Sequence, residues 1–152
     1  HIYLPANPDF EFTANTMNRV AGSGVLCTTR GKVKIDGNRF LNTGENGILI
    51  GGDVSRSFEG GCVENMSISS NAFMNCEDSA LLIEPDNRRY VGAVHRNITV
   101  ENNLFVINNI HALCASSAEN IVMRNNVYKG RALNGKWIVS SNTENLVSDC
   151  PK

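Results

Sequence analysis

Five short stretches of the chain alternate apolar and polar residues, and each ends in the same way. Two apolar positions separated by one residue are followed by an Asn, and two places later by a large apolar or aromatic side chain. The sets are Phe10, Phe12, Asn15 and Met17; Val33, Ile35, Asn38 and Phe40; Met66, Ile68, Asn71 and Phe73; Ile98, Val100, Asn103 and Phe105; and Ile121, Met123, Asn126 and Tyr128. The asparagines lie 23, 33, 32 and 23 residues apart. Nine places after each comes a small residue (Gly24, Gly47, Ala80, Ala112, Gly135), and then a short apolar run such as Val25–Cys27 or Ile48–Ile50.

Alternation at i and i+2 makes a strand with one buried face. A recurring unit of about 23 residues built from such strands predicts a coil that stacks on copies of itself. Stacked in register, each Asn hydrogen-bonds to the next along a ladder, and the aromatic residues pile up inside. The Asn is also the residue expected to adopt the left-handed torsions of the bend. Leucine-rich repeats share the period but need a Leu-x-x-Leu-x-Leu frame and a helix per unit, and neither is present. The pattern therefore predicts an all-β fold, a right-handed parallel β-helix of five to six coils with an Asn ladder and an aromatic stack. It forms a single domain over residues 1–152, expected to be part of a longer solenoid. Residues 1–8, with Pro5 and Pro8, read as an extended entry, and residues 136–147 as a sixth coil. Trp137 is expected in the column of Leu26, Leu49 and Leu82. Asn65 and Asn97 head Asn-x-Ser/Thr sequences but align with Asn120 and Asn145, which points to a second turn ladder.

Two coils carry 9 to 10 extra residues, both directly after the strand that follows the small residue. The insertions, residues 51–62 and 84–95, emerge from one edge of the solenoid and are expected to wall a shared groove. Asp53 and Asp86 fall fifteen places after their ladder asparagines, and Glu84 thirteen places after its own. With rungs ~4.8 Å apart and residues advancing ~3.3 Å, Asp53 and Glu84 are expected roughly 8 Å apart. That falls within the ~6.5–9.5 Å at which one carboxyl group protonates a leaving oxygen while another activates water. Glu59 and Asp86 are supporting carboxylates, while Arg56, Phe58, Arg88 and Tyr90 offer hydroxyl-binding and ring-stacking surfaces for a sugar. Asp53 and Asp86 also fit plain turn positions after Gly-Gly and Pro. His95 and His111 read as corner or packing residues, since no further ligand recurs at metal-binding spacing. No metal or other cofactor is expected.

Charge and composition narrow the field. Fourteen Lys and Arg against 15 Asp and Glu give a net charge of −1, which leaves no electrostatic footprint for nucleic acid. No run of 18 apolar residues is present, so no helical membrane span is expected. Thirteen glycines and 21 asparagines with only 19% charged residues disfavour a helical bundle. The five cysteines, Cys27, Cys62, Cys76, Cys114 and Cys150, lack metal-ligand spacing and read as buried free thiols with at most one disulfide.

The residues from Gly24 to Ile35, the run Gly47 to Asp53, Phe58 to Gly61, Ile83 to Pro85, and Val94 to Ile98 resemble the β-helix of glycoside hydrolase family 110. Those enzymes are exported bacterial α-1,3-galactosidases acting on terminal galactose, including blood-group-B-type glycans. The resemblance covers about Ala21 to Tyr128, and because full-length relatives are several times longer, it implies a fragment or short relative. It implies an inverting, metal-independent enzyme with Asp53 and Glu84 as the catalytic carboxylates. Gly52 stands where the family pattern has the first acid of a tandem pair. An oligosaccharide or glycan substrate and a secreted, periplasmic or cell-surface location follow from the same resemblance. No export leader opens the chain, so such a signal is expected to have been removed.

The expected function is thus that of an exo-α-galactosidase-like hydrolase or its C-terminal catalytic portion. Glu84 is its general acid and Asp53 its base. Two alternatives remain: a non-catalytic glycan-binding or structural β-helix, and a polysaccharide lyase, which needs a calcium-binding carboxylate cluster. Nothing in the pattern predicts an oligomeric state.

Overall fold

The computed structural model describes residues 9–52, 61–87 and 91–151. Among them run thirteen strands, all paired in parallel, and one short 3-10 turn at Leu133–Gly135. The strands wind into a three-faced coil. The first face carries Phe10–Thr13, Lys32–Asp36, Asn65–Ser69, His95–Glu101 and the ends of the long strands Leu104–Arg124 and Ile138–Ser148. The second carries Thr16–Asn18, Arg39–Leu41, Ala72–Met74, the start of Leu104–Arg124, and Val127–Ala132. The third carries Val25–Cys27, Ile48–Ile50, Ser79–Ile83, the middle of Leu104–Arg124 and the start of Ile138–Ser148. The first face thus has six rungs and the other two have five, as the repeat predicts.

Register follows the repeat. Val33, Met66, Ile98, Ile121 and Leu146 stand in one column. Ile35, Ile68 and Val100 stand in the neighbouring inward column and are fully buried, while Lys34 between the two columns and Lys32 before them point to solvent. A one-residue slip between coils would turn every such apolar side chain outward, so the alternation itself enforces the register.

The Asn ladder is complete from coil to coil. The Oδ1 of Asn38, Asn71, Asn103 and Asn126 each accepts both the backbone N–H and the side-chain amide of the Asn one coil earlier. The backbone bonds are 2.8–2.9 Å and the amide bonds 3.0–3.3 Å. Each amide nitrogen also donates to a carbonyl of the first-face strands, such as Ile35 for Asn71 at 2.9 Å. The rungs can approach closely here because the buried amides leave no polar group unsatisfied.

The left-handed torsion, however, belongs to the residue just before each ladder Asn. Ala14, Ser70, Asn102 and Asn125 have φ of 55–56° and Gly37 has φ 67°. The preceding residue makes the bend, which leaves the Asn itself free to aim its side chain inward. Two further ladders decorate the outside, Asn18 to Asn42 to Asn75 and Asn97 to Asn120 to Asn145. The second explains Asn97 as a turn residue with φ 56°.

Inside, Phe40, Phe73, Phe105 and Tyr128 stack with ring centroids 5.0, 5.1 and 5.5 Å apart. Their stacking accounts for the small residue nine places on. A Cβ added to Gly47 would sit 2.6 Å from the Phe73 ring and 2.7 Å from the Ala80 carbonyl oxygen, and Gly24 meets Phe40 and Gly47 in the same way. The fifth member of this column is Trp137, not Gly135. The Trp137 carbonyl accepts the Ala112 N–H at 2.8 Å, one place before the Leu113–Ile138 pair. Val139, not Trp137, continues the Leu26, Leu49 and Leu82 column through Cys114. Gly135 falls instead in the 3-10 turn, with φ 74°, where two extra residues are absorbed. Tyr128 is the last ring of the stack, so the small-residue position beside it can hold a large side chain. Trp137 packs edge-on against Tyr128 at 5.2 Å and closes that end of the core.

Stability measurements on three variants check this packing. Asn71→Ala removes an acceptor of two bonds and a donor of two more inside the core, and is expected to cost about 3 kcal/mol or more in urea unfolding. Asn42→Ala, on the exposed ladder, is expected to cost about 1 kcal/mol or less. Gly47→Ala is expected to cost about 1–3 kcal/mol by overpacking against Phe73; an unchanged midpoint for Gly47→Ala would show that the coils part more easily than the contacts imply.

Candidate functional site

The third-face strands end at Ile50, Ile83 and Ala115, which stand in register on adjacent rungs. Past these strands the coils behave differently. In the second and third coils the insertions begin here, whereas the fourth and fifth turn the corner directly through Ser117 and Asn142, both at φ 48°. Ser and Asn suit such a corner because their short polar side chains can hydrogen-bond locally while the backbone is left-handed.

Glu84 is the first residue past Ile83. Its backbone N–H still donates to the Ile50 carbonyl at 3.0 Å, and that of Asp86 donates to Gly52 at 2.8 Å. The ladder between the second and third coils therefore persists into the start of the insertions, with Pro85 buried between two acidic residues. Glu84 is exposed and Asp86 half-buried. Both line a groove of about 600 Å³, formed by residues 84–87 with Ser116, Ser117, Ser141 and Asn142. Ser116 follows Ala115, the rung partner of Ile83, and its hydroxyl donates back to the Ile83 carbonyl at 3.4 Å. The groove thus runs along the solenoid axis from the acidic residues of the third coil over the hydroxyl and amide groups of the fourth and fifth.

Asp53, Arg56, Phe58, Glu59, Arg88 and Tyr90 lie outside the described residues, so of the expected constellation only Glu84 and Asp86 have described positions. The four groove residues on later coils were not singled out from sequence. Their signal was present: Ser116 lies thirteen places after Asn103, the same offset that Glu84 has from Asn71.

Both insertions return to the solenoid next to His95. Its ring is fully buried, and its Nδ1 accepts the backbone N–H of Val63 at 3.0 Å, joining the return of the first insertion to that of the second. The Arg96 N–H reinforces the junction by donating to the Val63 carbonyl at 2.9 Å. An imidazole that accepts at Nδ1 carries its proton at Nε2, which is buried. Burial lowers its pKa to about 4, so His95 is neutral at physiological pH and acts as a structural clasp. His111 packs its Nδ1 2.6 Å from the Lys136 carbonyl oxygen, a corner role as expected. All five cysteines are free thiols. The thiol of Cys114 is pushed above its usual range by burial, with the nearby Glu84 and Asp78 carboxylates adding to the effect.

A family model described as "Right handed beta helix region" matches residues 1–150. Among curated proteins, the chain is 38% identical over 122 residues to "Alpha-1,3-galactosidase A" of Bacteroides thetaiotaomicron, an alignment covering 79% of this chain and 22% of that protein. It is 37% identical over 102 residues to "Alpha-1,3-galactosidase A" of Akkermansia muciniphila, covering 67% and 17% respectively. Similarity to "Alpha-1,3-galactosidase B" of the same organism is 29% over 129 residues, covering 78% and 16%. The chain spans about a fifth of the length of the relatives it matches.

The clasp has a measurable signature in pH. The His95 pKa is about 4 in the folded chain against about 6.5 when unfolded, so the unfolded state binds the extra proton first. The contribution of His95 to stability is complete above about pH 6.5 and is lost progressively down to about pH 4, by about 3 kcal/mol in total. Urea unfolding of the parent chain and of His95→Asn is expected to give a stability difference that shrinks by that amount over this range. A difference constant with pH would show that His95 is solvated and not a clasp.

Proposed function

The chain belongs to the family of right-handed β-helix regions, and from that premise we propose that it is carbohydrate-active, an inverting exo-α-galactosidase-like glycoside hydrolase or the catalytic portion of one. The single observation that carries this reading is the placement of Glu84. Its carboxylate is exposed at the mouth of a polar groove, on backbone that is still locked to Ile50 and Gly52 of the coil before. A rigidly held acid one rung, or ~4.8 Å, from the segment leading into Asp53 suits a two-carboxylate mechanism. The names of the relatives, α-1,3-galactosidases, supply the sugar and linkage.

In this reading Glu84 protonates the oxygen between galactose and its leaving group. Asp53 takes a proton from water, which attacks the anomeric carbon from the opposite face. The carbon–oxygen bond to the leaving group breaks as the bond to water forms, and the configuration inverts. Asp86 and Glu59 tune the pair electrostatically, and Arg56, Phe58, Arg88 and Tyr90 orient the sugar. Enzymes of this kind work on glycans outside the cell, which suits a secreted, periplasmic or surface location. The uncharged floor of Ser116, Ser117, Ser141 and Asn142 favours a second reading, a glycan-binding β-helix that does not turn its ligand over.

Galactose release from an α-1,3-linked galactobiose separates the two. Glu84→Gln and Asp53→Asn, made singly, are each expected to lower kcat by ~10²–10⁴-fold. Undiminished release in either variant would remove that residue from the chemistry. Saturable binding with no release by the parent chain would favour the second reading.

A further inference from the structure

We infer that the fourth and fifth coils form a subsite for the leaving-group portion of a neutral glycan, centred on Ser117 and Asn142. The inference deepens the proposed hydrolase reading and rests on it for the direction in which the glycan lies. If Glu84 on the third coil is the acid and the base comes from the second coil, the galactose ring lies over those two coils. The acid protonates the leaving oxygen, so the rest of the glycan must continue past Glu84. The groove continues there too, along the axis over Ser116 and then Ser141 and Asn142, which sit one and two rungs beyond Glu84.

The chemistry of this stretch selects a neutral polyol. Every side chain lining it on the fourth and fifth coils is a hydroxyl or an amide. Such groups both donate and accept, as sugar hydroxyls do. Among the described residues, the charged side chains in the groove lining are the carboxylates Glu84 and Asp86, which repel a uronic or sialic acid at this position. Preorganisation comes from a side-chain bridge across three coils. Ser117, more than nine-tenths buried, accepts the amide of Asn142 at 3.0 Å and the amide of Asn87 at 3.4 Å. With two N–H groups directed at its oxygen, Ser117 holds the Asn87 and Asn142 amides in fixed orientations. The Asn142 amide is also held by the Gly92 carbonyl at 3.4 Å, which leaves its Oδ1 as an acceptor at the exposed end of the groove. A groove whose polar groups are fixed before binding loses less entropy when a ligand arrives.

The test is a titration with galactose, with a neutral α-1,3-galactosyl disaccharide and with its trisaccharide, read by NMR shifts and calorimetry on the Glu84→Gln chain, in which catalysis is suppressed. Galactose release is measured separately on the parent chain. The oligosaccharides are expected to bind at least tenfold more tightly than galactose, with the Ser117 and Asn142 amide signals moving. Asn142→Ala and Ser141→Ala, both at exposed positions, are expected to abolish most of that advantage while leaving galactose binding unchanged. Cooperative urea unfolding confirms that each variant is folded. Where Asn142→Ala loosens the corner, Ser116→Ala supplies a second reading of the same groove. Equal affinity for galactose and the oligosaccharides, or an advantage that survives all three substitutions, would overturn the subsite. A parent chain that binds the oligosaccharides in this way but releases no galactose would sink the hydrolase reading and leave the subsite standing.

Discussion

The ladder of buried asparagines is the constraint on which the rest of this fold depends. A parallel coil has no hairpin turns to fix its register, so something else must decide which residue lies above which. Here each Asn Oδ1 accepts two bonds from the Asn of the coil before, and each amide reaches a carbonyl of the adjoining strands. A shift of one residue would strand four buried polar groups per coil, each costing about 1–3 kcal/mol. The aromatic stack makes the same demand in apolar form: a ring on one coil requires a small residue on a neighbouring strand, as Gly47 and Phe73 show. With register fixed at both places, the remaining corner is free to vary. The two insertions leave from that corner, and the inner ladder runs through their coils without interruption.

Much of this was legible because the repeat places unusual residue types at fixed offsets. An Asn followed two places later by an aromatic residue cannot be mistaken for a generic amphipathic strand. The details that escaped have physical causes. Because Asn tolerates left-handed torsions, the ladder Asn is the residue expected at the bend, whereas Ala14 and Ser70 adopt them one place earlier. Sequence preference for a torsion is weaker than the need to point a side chain inward. Counting from Asn126 puts Trp137 two positions from its true column because Asn134 and Gly135 absorb an irregularity that the count does not reveal. Offsets fail wherever a coil is not of standard length.

The candidate site was legible only in part, for a related reason. Glu84 could be found because it is the first residue beyond a regular strand, where ladder geometry still holds. Ser116, Ser117, Ser141 and Asn142 were passed over because Ser and Asn are ordinary corner residues, and nothing in a linear reading separates a corner that closes the coil from one that floors a groove. Only stacking shows that the corners of the fourth and fifth coils continue the surface on which Glu84 stands. His95 illustrates the opposite case, a residue with catalytic chemistry that packing commits to structure. Its ring is buried against Val63 and joins the return of the first insertion to that of the second through a neutral imidazole.

The proposed chemistry depends on the register that sets Glu84 beside the second coil, and hydrogen-bond scalar couplings in solution measure that register directly. That register predicts a through-bond correlation from the Glu84 amide nitrogen to the Ile50 carbonyl carbon, accompanied by one from the Asn71 amide nitrogen to the side-chain carbonyl of Asn103. Couplings from these amides to any other carbonyl, or fast solvent exchange at Glu84 while Asn71 stays protected, would contradict it.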